Sequence, residues 1–253
     1  MKPLILIRYV VTAAIRDKLV IGLCLMLLMA VSLSLFMGST ALTEQDQFVA
    51  VFSAGSIRIL NVLGLILFIV FFVRRSFETR DIEFMLSRPV GRIKLVLSYA
   101  AGFSMLAVFL GLISGLCIFA LSPHLFSGGH VLWVVSLMIE NIIMVNVALF
   151  FSMILTSAAS CAFASFGFYV LARMMSHLLG IVDSGKEVTN IEGLKVIMEW
   201  ISMVMPRLDL MTQTSWLVYG PGEIGYVFVL AQGGIYTALI LLAALVDMRF
   251  RQF

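Results

Sequence analysis

Residues 74–94 read RRSFETRDIEFMLSRPVGRIK and form the only densely charged stretch in an otherwise apolar chain. Six basic side chains (Arg74, Arg75, Arg80, Arg88, Arg92, Lys94) and three acidic ones (Glu78, Asp81, Glu83) crowd into it. Apolar runs long enough to cross a bilayer stand on both sides. Charges this close to two spans must lie in water, and the basic excess predicts the cytoplasmic side. Phe77, Ile82, Met85 and Leu86 form an apolar stripe between Glu78, Asp81 and Glu83, closed by Arg88-Pro89. That pattern predicts a short amphipathic helix beside the membrane, a docking handle for a cytosolic partner. The plainer reading is a solvated loop that sets topology and needs no partner.

Composition agrees with the spans. Of 253 residues, 62% are hydrophobic and 12% charged, with a mean hydropathy of +1.10. Soluble domains carry about 25% charge, so the chain reads as an all-α integral membrane protein. The net charge of +3 does not point to nucleic acid, because the basic residues cluster beside the spans. Cys24, Cys117 and Cys161 stand alone inside apolar runs, without metal-ligand or disulfide spacing. The first apolar run follows Lys18 and is long enough for a full span, so it is expected to stay as an anchor.

Along the chain, residues 1–18 place Arg8, Thr12 and Arg16 four apart, with Leu4, Ile7, Val11 and Ile15 on another face. This predicts a basic amphipathic helix in the inner interface. Spans are expected at 19–37, 57–73, 95–121, 131–155, 158–181 and 226–246, near the length a bilayer core requires. Residues 40–56 read as an external loop, with Arg58 snorkelling to the headgroups at the outer end of the second span. Residues 122–130 (SPHLFSGGH) form a polar turn whose His124 and His130 are a weak metal signal, so no metal site is assigned. Residues 183–225 are the longest non-spanning segment. Leu194, Ile197, Met198, Ile201 and Met205 fall there at helical spacing before Pro206, predicting a short external helix and a second one after the proline.

Charge tests this topology. Four basic residues in the N-terminal flank, six in 74–94 and two at the C-terminus fall inside. Arg58, Lys186, Lys195 and Arg207 fall outside, and Arg173 lies within a span. Six spans with both termini cytoplasmic satisfy the positive-inside rule. The chain is then one transmembrane domain over 1–253, with no soluble domain.

Two charges sit inside spans. Glu140, followed by Asn141 and Asn146, lies in the fourth, and Arg173 in the fifth. Each costs about 2.5–3.5 kcal/mol near mid-membrane, so neither should face lipid. The two spans are antiparallel neighbours, which makes a Glu140–Arg173 pair geometrically accessible. Such a pair either lines a substrate path or subunit seam, or fixes helix packing; a misplaced span start would also explain it. Gly111 and Gly115 form a GxxxG in the third span, and Ala158, Ala159, Ala162 and Ala164 crowd the start of the fifth, allowing close helix approach.

Missing motifs narrow the function. There is no GxxxxGK[ST] phosphate loop, no HExxH and no nucleophile elbow, so the chain is not expected to be an enzyme or to hydrolyse ATP itself. The order of parts resembles the permease subunit of type-2 ABC transporters, the exporter-like class. Residues 78–92, ETRDIEFMLSRPVGR, resemble that family's acidic start, amphipathic helix and Ser/Thr-x-Pro-Val with a basic residue. Residues 205–210, MPRLDL, resemble its Pro-centred external segment before the last span. The likeness covers the whole chain in layout, but only these two motifs at residue level. A large external domain and a fused ATPase are both lacking.

The resemblance implies a coupling helix that sits in a groove of a separate ATPase subunit. Glu78, Arg80, Asp81, Glu83, Arg88 and Pro89 would shape and steer it, while Phe84, Met85 and Leu86 would anchor it. ATP and Mg would be bound by that partner, none by this chain. A second permease copy, identical or related, would complete a central path in a bacterial-type inner membrane, among membrane lipid and without nucleic acid. Two rivals stand beside this reading. One is a membrane scaffold that recruits a cytosolic protein without transport; the other is an ATP-independent transporter.

Overall fold

The computed structural model describes residues 3–16, 18–39, 44–79, 91–184, 200–202, 205–222 and 224–250. These include eight α-helices: α1 (Pro3–Arg16), α2 (Leu19–Gly38), α3 (Gln45–Glu78), α4 (Arg92–Leu121), α5 (Gly128–Ile154), α6 (Ala158–Ser184), α7 (Trp216–Tyr219) and α8 (Tyr226–Phe250). Short 3-10 turns stand at Pro123–Leu125 and Leu208–Leu210, and there is no strand among the described residues. Six helices, α2 to α6 and α8, are long and apolar enough to cross a membrane. The protein is therefore a multi-pass, all-helical membrane protein. Of the coupling-helix residues named between 78 and 89, only Glu78 is described, as the last residue of α3; positions 80–90 lie outside the described residues. Residues 185–199, where the first external helix is expected, also lie outside them.

Helix α5 is the centre of the bundle. It packs against α3, α4, α6, α7 and α8. Its apolar window is 61% buried, against 22% for α8, so α5 sees protein on most sides and α8 is a peripheral helix. The sequence explains the difference. In α5, Ser136, Glu140, Asn141, Asn146 and Ser152 sit among apolar residues, and polar groups in a membrane helix must face protein. In α8, Leu230, Ile235, Leu239, Leu242 and Val246 are exposed, as residues that meet lipid should be.

The second spanning helix differs from expectation. It begins at Gln45, not near Ile57, and runs for 34 residues, about 51 Å at 1.5 Å per residue. Val49, Ala50, Ser53, Ala54 and Ile57 are buried at helical spacing, which carries the helix through the stretch read as a loop. At its far end α3 continues to Glu78. There Arg74 donates to the Leu155 carbonyl at 3.1 Å, satisfying a group left open by the α5–α6 turn.

Helix α1 buries Val10, Ala13 and Ala14, with Val10 against Gly102 of α4. The bulkier apolar stripe is split: Val11 is half-buried against the core, while Ile15 is 63% exposed. Gly102 permits the close approach of α1 to α4. Phe68 and Phe72 of α3 meet Tyr99 and Phe103 of α4 in a cluster, with Phe72 and Phe103 edge-to-face at 5.7 Å.

The GxxxG pair has a definite partner. A Cβ at Gly111 would lie 2.6 Å from Met138 Cγ, and one at Gly115 2.6 Å from Val134 Cγ2. Val134 and Met138 are one turn apart on α5, so the two glycines form the groove that receives them. Val is stiff about χ1 and cannot swing away. Gly115→Ala is expected to lower stability by about 1–3 kcal/mol. Gly167→Ala, where no atom lies within 4 Å of the added carbon, should cost nothing of this kind. Thermal unfolding of the two variants in one mild detergent compares them directly, and equal melting temperatures would refute the packing argument.

Candidate functional site

The site is built on a segment that leaves the helical pattern. Residues 205–222 run between α6 and α8, yet Leu208, Met211, Thr212, Trp216 and Leu217 are buried. The segment does not rest on the bundle; it is inserted among α3, α5 and α6. The carbonyl of Trp216 lies next to Gly129, near the start of α5, while Thr212 reaches Ser136 and Glu140. From position 129 to 140 the segment descends along α5 by about 16 Å. Irregular backbone at that depth is tolerated only where protein surrounds it and satisfies its polar groups.

Three charged side chains do so. Arg173 of α6 donates to the carbonyls of Leu208, of Met211 (2.7 Å) and of Thr212 (3.4 Å). Arg58 of α3 donates to the Thr212 carbonyl at 2.9 Å. Glu140 of α5 accepts the Thr212 hydroxyl proton, and its Oε2 stands 3.8 Å from Arg173 Nη1. The Thr212 N–H donates to Ser136 Oγ at 2.8 Å. Every polar group of Thr212 is thus engaged, by side chains from three helices.

This residue has φ = 50°. For a β-branched side chain that left-handed conformation is strained, by about 1–3 kcal/mol, and persists only where the surroundings over-determine it. The four partners of Thr212 provide that constraint.

The outer part of the segment has its own ties. Arg207 and Asp209 form a salt bridge of 3.0 Å, and Ser176 of α6 donates to the same carboxylate. Tyr236 of α8 donates to the Met205 carbonyl at 2.9 Å, linking the segment to the peripheral helix. Next to the charged centre the Tyr169 hydroxyl is buried against Glu140, and the Asn141 amide is buried without a hydrogen-bond partner among the described residues. Below it, Asn61 of α3 donates to Ser114 of α4 at 2.7 Å, and Asn146 of α5 donates to Ser104 of α4 at 3.4 Å. A polar seam runs down the centre of the bundle.

Glu140 and Arg173, the two intramembrane charges picked from the sequence, are brought together, with Glu140 fully buried. Arg58, expected to snorkel to the headgroups, has a partner within the protein. It lies 13 residues into α3, about 20 Å from the helix start, and turns inward to the Thr212 carbonyl. Thr212, Ser136 and Tyr169 were not foreseen. A usable signal existed, since Ser136 and Glu140, like Tyr169 and Arg173, are four apart on their helices and mark two polar faces. The arrangement binds main-chain carbonyls within the membrane-spanning part of the protein; it is a clamp. His130 is buried, its ring 5.8 Å from that of Phe126. Compared with known proteins, the chain matches no family model and no curated protein.

Proposed function

We propose that the chain is the membrane-spanning permease subunit of an ATP-driven transporter of the type-2 ABC class, an exporter that works with a separate ATPase. The observation that carries this reading is the order of parts. A short first helix precedes two spans, a charged connection follows α3, three spans come next, and a segment is inserted before the last. The likeness of residues 78–92 and 205–210 to that family supports it. In this reading the charged connection and both termini face the cytoplasm, α1 lies in the inner interface, and the membrane is a bacterial-type inner membrane. Two permease subunits pair, and ATP and Mg are held by the ATPases. Closure of the ATPases pushes on residues 78–89 and switches the path between leaflets. Lipid-like, hydrophobic or peptide cargo suits spans with few fixed charges.

Mild extraction of the tagged full chain from its native membranes tests this. A soluble ATPase should co-purify with the wild type and disappear with Phe84→Asp combined with Met85→Asp, while the membrane fold and yield are unchanged. Absence of any ATPase from the wild-type preparation in several mild detergents would sink the reading and favour a scaffold or an ATP-independent transporter.

A further inference from the structure

The starts and ends of two helices make a second site, far from the clamp. Helix α8 finishes beside the beginning of α4, and between them lies a groove of about 670 Å³. Gly91, Ile93 and Lys94 line it from one side, Leu245, Met248 and Arg249 from the other. Its wall is almost wholly apolar, from Ile93, Leu245 and Met248, and Lys94 and Arg249 are the two basic residues, from separate elements, among those that line it. Among the described residues no acid lines it: Asp247, the nearest acid in sequence on α8, is not part of the lining. Both helices are of membrane-spanning length, so their ends fall at the level of lipid headgroups. It is the same end of the bundle at which Arg74 and Arg75 stand.

We infer that this groove holds an anionic glycerophospholipid, its phosphate between Lys94 and Arg249 and an acyl chain along Ile93 and Leu245. Charge complementarity selects the occupant. Two cations lining one groove attract a headgroup of net negative charge. A zwitterionic headgroup brings its own ammonium to the same cations and loses most of that attraction. A soluble anion would leave the apolar surface against water, whereas a lipid covers it. Lys and Arg stems lie along such surface with the charge held at the headgroups. The site does not depend on the transport reading, because the lipid stays with the chain whatever the chain moves.

Native mass spectrometry of the purified full chain tests the inference, with phosphatidylglycerol and phosphatidylcholine of identical acyl chains titrated separately. The wild type should retain one phosphatidylglycerol in clear preference to phosphatidylcholine. At about 1 kcal/mol per cation near a membrane surface, Lys94→Gln with Arg249→Gln should weaken phosphatidylglycerol roughly 30-fold and leave phosphatidylcholine unchanged. The charge-conserving pair Lys94→Arg with Arg249→Lys should retain it, with helix content by circular dichroism equal in all three. The same loss of charge elsewhere, Arg8→Gln with Arg16→Gln, should have little effect. Equal retention of phosphatidylglycerol by the wild type and the Lys94/Arg249 glutamine variant would overturn the proposal. So would a wild type that holds both lipids equally, or an equal loss in the Arg8/Arg16 variant.

Discussion

Arg173→Ala will destabilise the protein more than any other single change in the bundle, by about 3–5 kcal/mol, the range for removing one partner of a buried ion pair. The loss has two parts. Glu140, fully buried, loses the cation that stands 3.8 Å from it. The Met211 carbonyl loses its donor, and the Leu208 carbonyl keeps only the Met211 N–H, at a depth where a missing hydrogen bond is costly. On the scale of soluble domains of this size, melting in detergent should fall by on the order of 10 °C.

Arg173→Lys will not restore it, because one ammonium cannot span three carbonyls as a planar fork does. Glu140→Gln should cost less, since the amide oxygen still accepts from Thr212, and Arg173, though it loses its carboxylate, keeps its three carbonyl acceptors. A cysteine placed at Thr214 reports the segment itself. It should react with a water-soluble maleimide faster in Arg173→Ala than in the parent. A melting temperature for Arg173→Ala within the error of wild type would show that the clamp holds nothing.

Gly129→Ala is the second large effect, and it adds only one carbon. That Cβ would stand 2.0 Å from the Trp216 carbonyl oxygen, 2.9 Å from its carbon and 3.1 Å from Gly220 Cα. All three are main-chain atoms and cannot rotate aside. Either α5 or the inserted segment must move, at the cost of overpacking, about 1–3 kcal/mol, or more where backbone must shift. Gly128, the preceding residue, has no atom within 4 Å of an added carbon. Gly128→Ala should therefore be neutral or slightly stabilising, by up to about 1 kcal/mol of helix propensity. The adjacent pair is a sharp comparison, because both changes raise helix propensity and only one collides. If the two variants melt together, the seating of Trp216 against α5 is not as described. The maleimide assay on Thr214→Cys should show the same order.

The spans were legible because length and apolarity are local properties. The helices from Leu19, Ala158 and Tyr226 start where the composition places them, and only their far ends run on by a few residues. The start of α3 was not legible. Glu44, Asp46, Gly55 and Ser56 read as loop, and what holds residues 45–56 in a helix is the burial of Val49, Ala50, Ser53 and Ala54 against neighbours that sequence alone does not position. The same limit applies at the clamp. Glu140 and Arg173 announced themselves, since an ionised group in an apolar run has few inexpensive explanations. Thr212 did not, because its importance lies in its carbonyl, its N–H and its φ, which any residue name conceals. Arg58 gave no sign of what it binds, for a related reason. Its partner is a main-chain oxygen 154 positions further along the chain.

The inserted segment also orders the birth of the protein. Its hydrogen-bond partners sit on α3, α5 and α6, so the seat exists only after those three helices have entered the bilayer and met. Ribosomes deliver residues 205–222 last but one, ahead of α8, whose Tyr236 then fastens Met205. Until that moment Arg58, Glu140 and Arg173 wait in the membrane without their carbonyl and hydroxyl partners. A chain arrested before position 205 thus carries exposed intramembrane charge, the kind of signal by which quality-control proteases distinguish an unfinished membrane protein from a finished one.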